Sequence, residues 1–235
     1  MGIVDEIICT LVADDRAILA TIISTSGSTP ASAFSRMLIK NQGSISVGTV
    51  GGGCLEGDVV QVAKTLYDSN KAEILTFHLT EDEFVQGLIC GGNLDILIEP
   101  LRREDVPLFQ ELKSLLDEGE GCIVATFINS DNTVRFKRLV KTTDLNWNNR
   151  VSDEWRNLND HSIIPLFQKD LSEEFLKVHH RNETRRIKTK EGELVLEPVA
   201  GNPSLIVFGG GHVSKQVCKI AVMAGFRVII VDDRD

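Results

Sequence analysis

No C-x-x-C pair occurs in this sequence. Its five cysteines, Cys9, Cys54, Cys90, Cys122 and Cys218, are odd in number and widely scattered. A structural zinc site is therefore not expected, and reduced thiols in a cytoplasmic protein fit best. No apolar run is long enough to span a bilayer. The start, Met1-Gly2-Ile3-Val4-Asp5-Glu6, lacks the basic flank of a signal peptide. Gly2 does not make a myristoylation site either, because position 6 is Glu. Basic charge is also short: 25 Lys and Arg stand against 34 Asp and Glu, a net charge of −9. That argues against nucleic acid and anionic membrane as general partners. What is present is ample apolar content, 42% over 235 residues, enough for one large domain or two small ones.

The chain is organised around Val47-Gly48-Thr49-Val50-Gly51-Gly52-Gly53-Cys54-Leu55-Glu56-Gly57-Asp58. A β-branched run ends in three glycines and a cysteine, and a helical pattern follows. Glycine lets backbone N–H groups approach a ligand and permits positive φ. A helix start favours an anion. Gly51, Gly52, Gly53 and Cys54 thus combine an anion cradle with a soft sulfur ligand. A tight strand–helix turn with a cysteine acting as a small hydrophobe is the plainer reading. A second stretch, Cys90-Gly91-Gly92, again couples a cysteine to paired glycines before a strand, which suggests a shared site.

Periodicity predicts an amphipathic helix over 3–14, strands over 17–25 and 36–40, and a hairpin into 44–50. A helix over 55–67 and a strand over 72–79 follow. Then come an acidic loop at 81–86 and a strand over 94–99. Pro107 opens a second helix carrying Leu108, Leu112, Leu115 and Leu116. Residues 121–128 and 133–140 read as a hairpin. From 141 to about 161 the chain is polar and Asn-rich, and Trp147 and Trp155 argue that part of it packs. A short helix at 170–180 and a hairpin of 187–190 with 194–199 come next. His78, inside a strand, is expected to be packed, and His179 and His180 to be surface residues.

Gly201-Asn202-Pro203 looks like a boundary. Beyond it, Ser204-Leu205-Ile206-Val207-Phe208 reads as a buried parallel strand. Gly209-Gly210-Gly211-His212-Val213-Ser214, a helical pattern and the run Arg227-Val228-Ile229-Ile230-Val231-Asp232 complete a βαβ unit of dinucleotide-binding type. Gly209 and Gly211 would approach a pyrophosphate, and Asp232 could accept from a ribose hydroxyl. His212 could touch a phosphate or face solvent. Ser214 stands at the third glycine position. The fold class expected is α/β: a mixed α+β domain over 1–140, an insertion and connecting hairpin over 141–200, and the start of a Rossmann-like domain over 201–235. One βαβ unit leaves a sheet edge unpaired, so truncation or completion in trans is expected.

These motifs together resemble the XdhC/CoxI family of maturation factors. The likeness rests on Ala20-Thr21 through Gly27-Ser28-Thr29-Pro30, Arg36-Met37-Leu38-Ile39, Gly51-Gly52-Gly53-Cys54-Leu55-Glu56, Cys90-Gly91-Gly92, Ile98-Glu99-Pro100 and Phe208-Gly209-Gly210-Gly211-His212-Val213. The resemblance implies a non-catalytic role. Such a protein would bind the molybdenum cofactor, a molybdopterin dithiolene, as cargo, assist its sulfuration, and pass it to a xanthine-dehydrogenase-type hydroxylase. It also implies a cysteine desulfurase partner and a homodimer. Cys54 and Cys90 would then lie near the metal or its sulfur. Gly51, Gly52, Gly53, Gly91 and Gly92 would shape the cradle. Glu56 would accept from a pterin N–H, or be a solvated first-turn acid. The loop after Pro30 reads Ala31-Ser32-Ala33-Phe34-Ser35 and lacks the family's basic residues, which leaves Arg36 as the cation for an anionic ligand. Two other classes stay open: an NAD(P)- or flavin-dependent oxidoreductase, from the βαβ turn, and a thiol or persulfide sulfur carrier.

Overall fold

The structure is a computed structural model and describes residues 2–78, 92–141 and 170–233. The expectations for the loop at 81–86, for Cys90 and Gly91, and for Trp147 and Trp155 lie outside the described residues.

Two antiparallel sheets form the body. The first has the order β3-β2-β1-β5-β4, built from β1 (Arg16–Ser26), β2 (Arg36–Lys40), β3 (Ile45–Gly48), β4 (Glu73–His78) and β5 (Asn93–Arg102). The second has the order β7-β6-β9-β8, from β6 (Cys122–Asn129), β7 (Val134–Lys141), β8 (Arg185–Lys188) and β9 (Gly192–Val199).

Helix α1 (Ile3–Asp14) buries Val4, Ile7 and Leu11, one stripe at helical spacing, and ends at Asp15 in the left-handed region. Helix α3 (Val106–Glu118) carries Pro107 in its first turn, where a missing N–H is not needed, and stops at Gly119 with φ 80°. These two cover Ala17, Leu19, Leu38 and Leu101 on one face of the first sheet. Helix α2 (Gly53–Leu66) covers the other face, packing Leu55, Val59 and Ala63 on Ile18, Ala20, Ile22, Ile96 and Ile98. Strand β1 is therefore buried from Ala17 to Ile23 without alternation, because both of its faces are covered.

The second sheet packs on the face that carries α1 and α3, through Ile23, Leu97, Ile128 and Val195. Its far side receives α4 (Asp170–Arg181) through Phe175 and Val178. Charged groups also lie in the seam between the sheets. Arg36 pairs with Glu197 at 2.6 Å, and Lys137 with Glu99 at 2.6 Å. Lys137 also donates to Thr126 Oγ1 at 2.8 Å.

The prolines inside β5 and β9 have a positional reason. Pro100 pairs with Ile18 on β1, and β4 pairs only as far as Ile98. Pro198 pairs with Ile123 on β6, and β8 reaches only Leu196. Each proline lies where its strand has one paired neighbour, so the missing N–H breaks no second ladder.

Residues 204–231 form β10 (Ser204–Phe208), α5 (His212–Met223) and β11 (Arg227–Val231), with β10 and β11 parallel. The βαβ connection is as expected from the sequence, but the burial is not. Phe208 is 80% exposed, Val213 78% and Met223 88%. One helix on two strands has no second layer to cover the outer faces, so among the described residues only Ala221 of this unit is buried. Among the described residues no helix is long and apolar enough to cross a membrane.

Candidate functional site

Register places the site. Ser26 pairs with Asn93, His78 with Asn93, and Met37 with Gly48. The C-terminal ends of β1, β3 and β4 and the N-terminal ends of β2 and β5 thus share one end of the first sheet. The glycine turn after β3 and the loop after β1 both emerge there, and Gly92 leads into β5 at the same end.

The turn uses glycine conformations throughout. Gly51, Gly52 and Gly53 have φ of 125°, 78° and 61°, values an L side chain rarely adopts. A Cβ on Gly51 would fall 2.8 Å from Pro30 Cγ. A Cβ on Gly92 would fall 2.5 Å from the Ser26 carbonyl oxygen and closer still to that of Ser28. Gly51 and Gly92 therefore abut one loop, residues 26–31, from two sides. Strands β3 and β5 stand three strand spacings apart, roughly 14 Å, and this loop bridges the gap. Cys54 is exposed in the first turn of α2. Cys90 lies outside the described residues.

Three of the turn's backbone donors, those of Val50, Gly51 and Gly52, are engaged from within. Glu56 Oε1 accepts from Thr49 Oγ1 at 2.5 Å, Gly52 N at 3.0 Å and Val50 N at 3.2 Å. Thr49 Oγ1 in turn accepts from Gly51 N at 3.1 Å. One oxygen of the half-buried Glu56 carboxylate thus ties the turn together. Arg36 differs from expectation in a similar way. Its carbonyl accepts from Thr49 N at 3.0 Å, beside the turn. Its guanidinium, only 12% exposed, is held by Glu197 of the second sheet, itself 3% exposed. It is not presented to an anion at the sheet end. The reason is burial: a guanidinium and a carboxylate taken out of water keep each other.

His78 also departs from expectation. Rather than being packed, it is exposed at the last rung of β4. Its Nδ1 lies 2.9 Å from Asn93 Oδ1, and Asn93 Nδ2 donates to Ser26 Oγ at 3.3 Å. His78, Asn93 and Ser26 thus make a polar row along three adjacent strands at the site end. The sequence carries no signal for this row, because its members are 15 and 67 positions apart. Thr49 is a further site residue that the motifs did not single out, although its place two residues before the first of the three glycines is a usable cue.

At the βαβ turn Gly209 has φ 92° and His212 is exposed at the first position of α5. Gly211 is the helix N-cap. The Asp232 carboxylate accepts from Gly210 N, so it faces the turn. Among the described residues no group of three or more His, Cys, Asp or Glu could hold a metal ion. A cleft of ≈ 380 Å³ lies elsewhere, at the seam of the two sheets, lined by residues such as Ile74, Ile128, Asn129, Lys188 and Glu193.

The architecture is that of an α/β protein whose loop-bearing sheet end displays a thiol on a glycine turn. Residues 11–78, from α1 through β4, match the model of the XdhC and CoxI family, so the resemblance read from the motifs is borne out over the stretch that holds that turn. The chain is 25% identical over 223 residues to a protein of Bacillus subtilis (strain 168) described as a probable xanthine dehydrogenase component, covering 94% of this chain and 60% of that protein. Its fold matches the crystal structure of a xanthine dehydrogenase from Bacillus halodurans with a TM-score of 0.65 and 21% identity, covering 100% of this chain and 63% of the other. The chain therefore spans somewhat under two thirds of these longer proteins.

Proposed function

We propose that this chain serves as a maturation factor in a xanthine dehydrogenase system. In this reading it holds a molybdenum cofactor as cargo at the loop end of the first sheet and delivers it to a xanthine-dehydrogenase-type hydroxylase. A cysteine desulfurase would supply the sulfur, and a homodimer would be the working form. The family match, the Bacillus subtilis relative and the motifs support this role. One geometric observation carries the site: Gly51 rests on Pro30, and Gly92 on Ser26 and Ser28, so the glycine turn and Gly92 border one loop. That arrangement sets the Cys54 turn and the entry to β5 beside the same loop, where one ligand could meet both.

The protein's own contribution is to orient and to shield. The rigid turn fixes Cys54, whose soft sulfur suits a metal–sulfur centre. The polar row of Ser26, Asn93 and His78 offers hydrogen bonds at the other side of the end. The βαβ unit, with Gly209, Gly211, His212 and Asp232, adds a nucleotide-type turn that would take NAD(P) or the nucleotide half of a dinucleotide cargo.

The test is retention. Full-length protein mixed with molybdopterin is expected to co-elute with it on a sizing column, and Cys54→Ser or Cys90→Ser to reduce the retained fraction. Absence of retention by the unaltered protein overturns the reading. A persulfide-carrier role is the second reading, favoured by the exposure of Cys54. It predicts that Cys54 takes sulfur from a desulfurase with no cargo present.

A further inference from the structure

A glycine turn at a helix start ordinarily offers its N–H groups to a ligand anion. Here one carboxylate oxygen already accepts three hydrogen bonds from that turn: from Thr49 Oγ1, Val50 N and Gly52 N. Bonds from N–H and O–H donors to a carboxylate are charge-assisted, and the helix start adds a favourable field. Glu56 sits in the first turn of α2 itself, four residues after Gly52, so its reach back to the N-cap is built into the helix. The opposite side of the turn is open: a Cβ on Gly52 or Gly53 would have no atom within 4 Å.

We infer that Glu56 is the turn's own anion, a positioning and specificity-determining residue that holds the three glycines in place and keeps anionic groups out of the seat. The inference rests on the cargo reading above and deepens it by giving the cargo a direction. A phosphate brought to the seat would find the Val50 and Gly52 N–H groups already engaged and would meet a like charge within a few ångströms. The glycine turn therefore receives the uncharged or metal–sulfur end of a ligand, through its open side and the Cys54 thiol. The phosphate end lies away from Gly52.

The test uses the full chain and inorganic phosphate as probe, read by the backbone amide signals of Val50 and Gly52. For the unaltered protein, millimolar phosphate is expected to leave both signals in place. Glu56→Gln keeps an acceptor on the same donors and removes the charge; its Gly52 signal is expected to stay near the original position. Glu56→Gln is also expected to show a saturable phosphate response with affinity at least ~10-fold above the unaltered protein. Glu56→Ala is expected to show a larger gain and a displaced Gly52 signal. A residue that only stabilises the fold would produce no new phosphate site. Saturable phosphate binding at Gly52 of the unaltered protein overturns the inference, and so does a folded Glu56→Gln protein with no gain. Either result leaves the molybdopterin retention test untouched, so the two readings fail separately.

Discussion

Replacing Lys137 by Met should destabilise the protein strongly, and in a pH-dependent way. Lys137 and Glu99 meet at 2.6 Å with side chains 5% and 1% exposed. Among the described residues Glu99 Oε2 has no hydrogen-bond partner, so Lys137 carries most of the compensation for this buried carboxylate. Removing one partner of a buried pair typically costs ~3–5 kcal/mol, because the other charge is left uncompensated. At roughly 2–4 °C per kcal/mol for a chain of this size, Tm at neutral pH should fall by about 6–20 °C. Burial pushes the Glu99 carboxyl above its ordinary value, and the Lys137 charge opposes that rise. With Lys137 gone the carboxyl rises further. A carboxyl raised on folding contributes stability that is present below the unfolded value of 4.5 and is lost as pH climbs through the folded one. The deficit of Lys137→Met should therefore shrink as pH is lowered from 8 to 5. The double variant Glu99→Leu with Lys137→Met should recover most of the loss, since an apolar pair of similar volume is often neutral there. Differential scanning calorimetry at several pH values measures all three. A single variant that melts with the unaltered protein at every pH would refute the reasoning.

Gly92→Ala forces a Cβ against the carbonyls of Ser26 and Ser28 and should cost ~1–3 kcal/mol by urea denaturation, whereas Gly57→Ala, with open space around it, should not. Iodoacetamide at pH 8 should label the exposed Cys9 and Cys54 well before Cys122, whose thiol burial pushes up to about 12; mass spectrometry of the native protein reports the order, and early labelling of Cys122 would contradict its burial. The apolar faces of β10 and α5 should bind a hydrophobic dye. Phe208→Lys should reduce that fluorescence with a stability change within about ±0.5 kcal/mol, as for an exposed site. A large loss of stability would mean that Phe208 is covered in solution.

Periodicity and turn chemistry are local, so the sequence by itself determined most elements. Ile7 and Leu11 return to one helix face every turn, Pro107 can only open a helix, and Gly119 ends it. The glycine run also announced a strand, a turn and a helix start. Three things were decided only by the tertiary structure. Sheet order gathered the turn, the 26–31 loop and Gly92 at one end, and no local pattern encodes which strands become neighbours. Side-chain partners were set by burial across long separations. Arg36, read as a cation for a ligand, was claimed by Glu197, 161 residues away, because two charges leaving water need each other more than either needs a site. Coverage too was decided in three dimensions: equally apolar runs became a buried core in β1 and a partly exposed strand in β10, because layers on both sides close over the first, whereas among the described residues a single helix lies on the second.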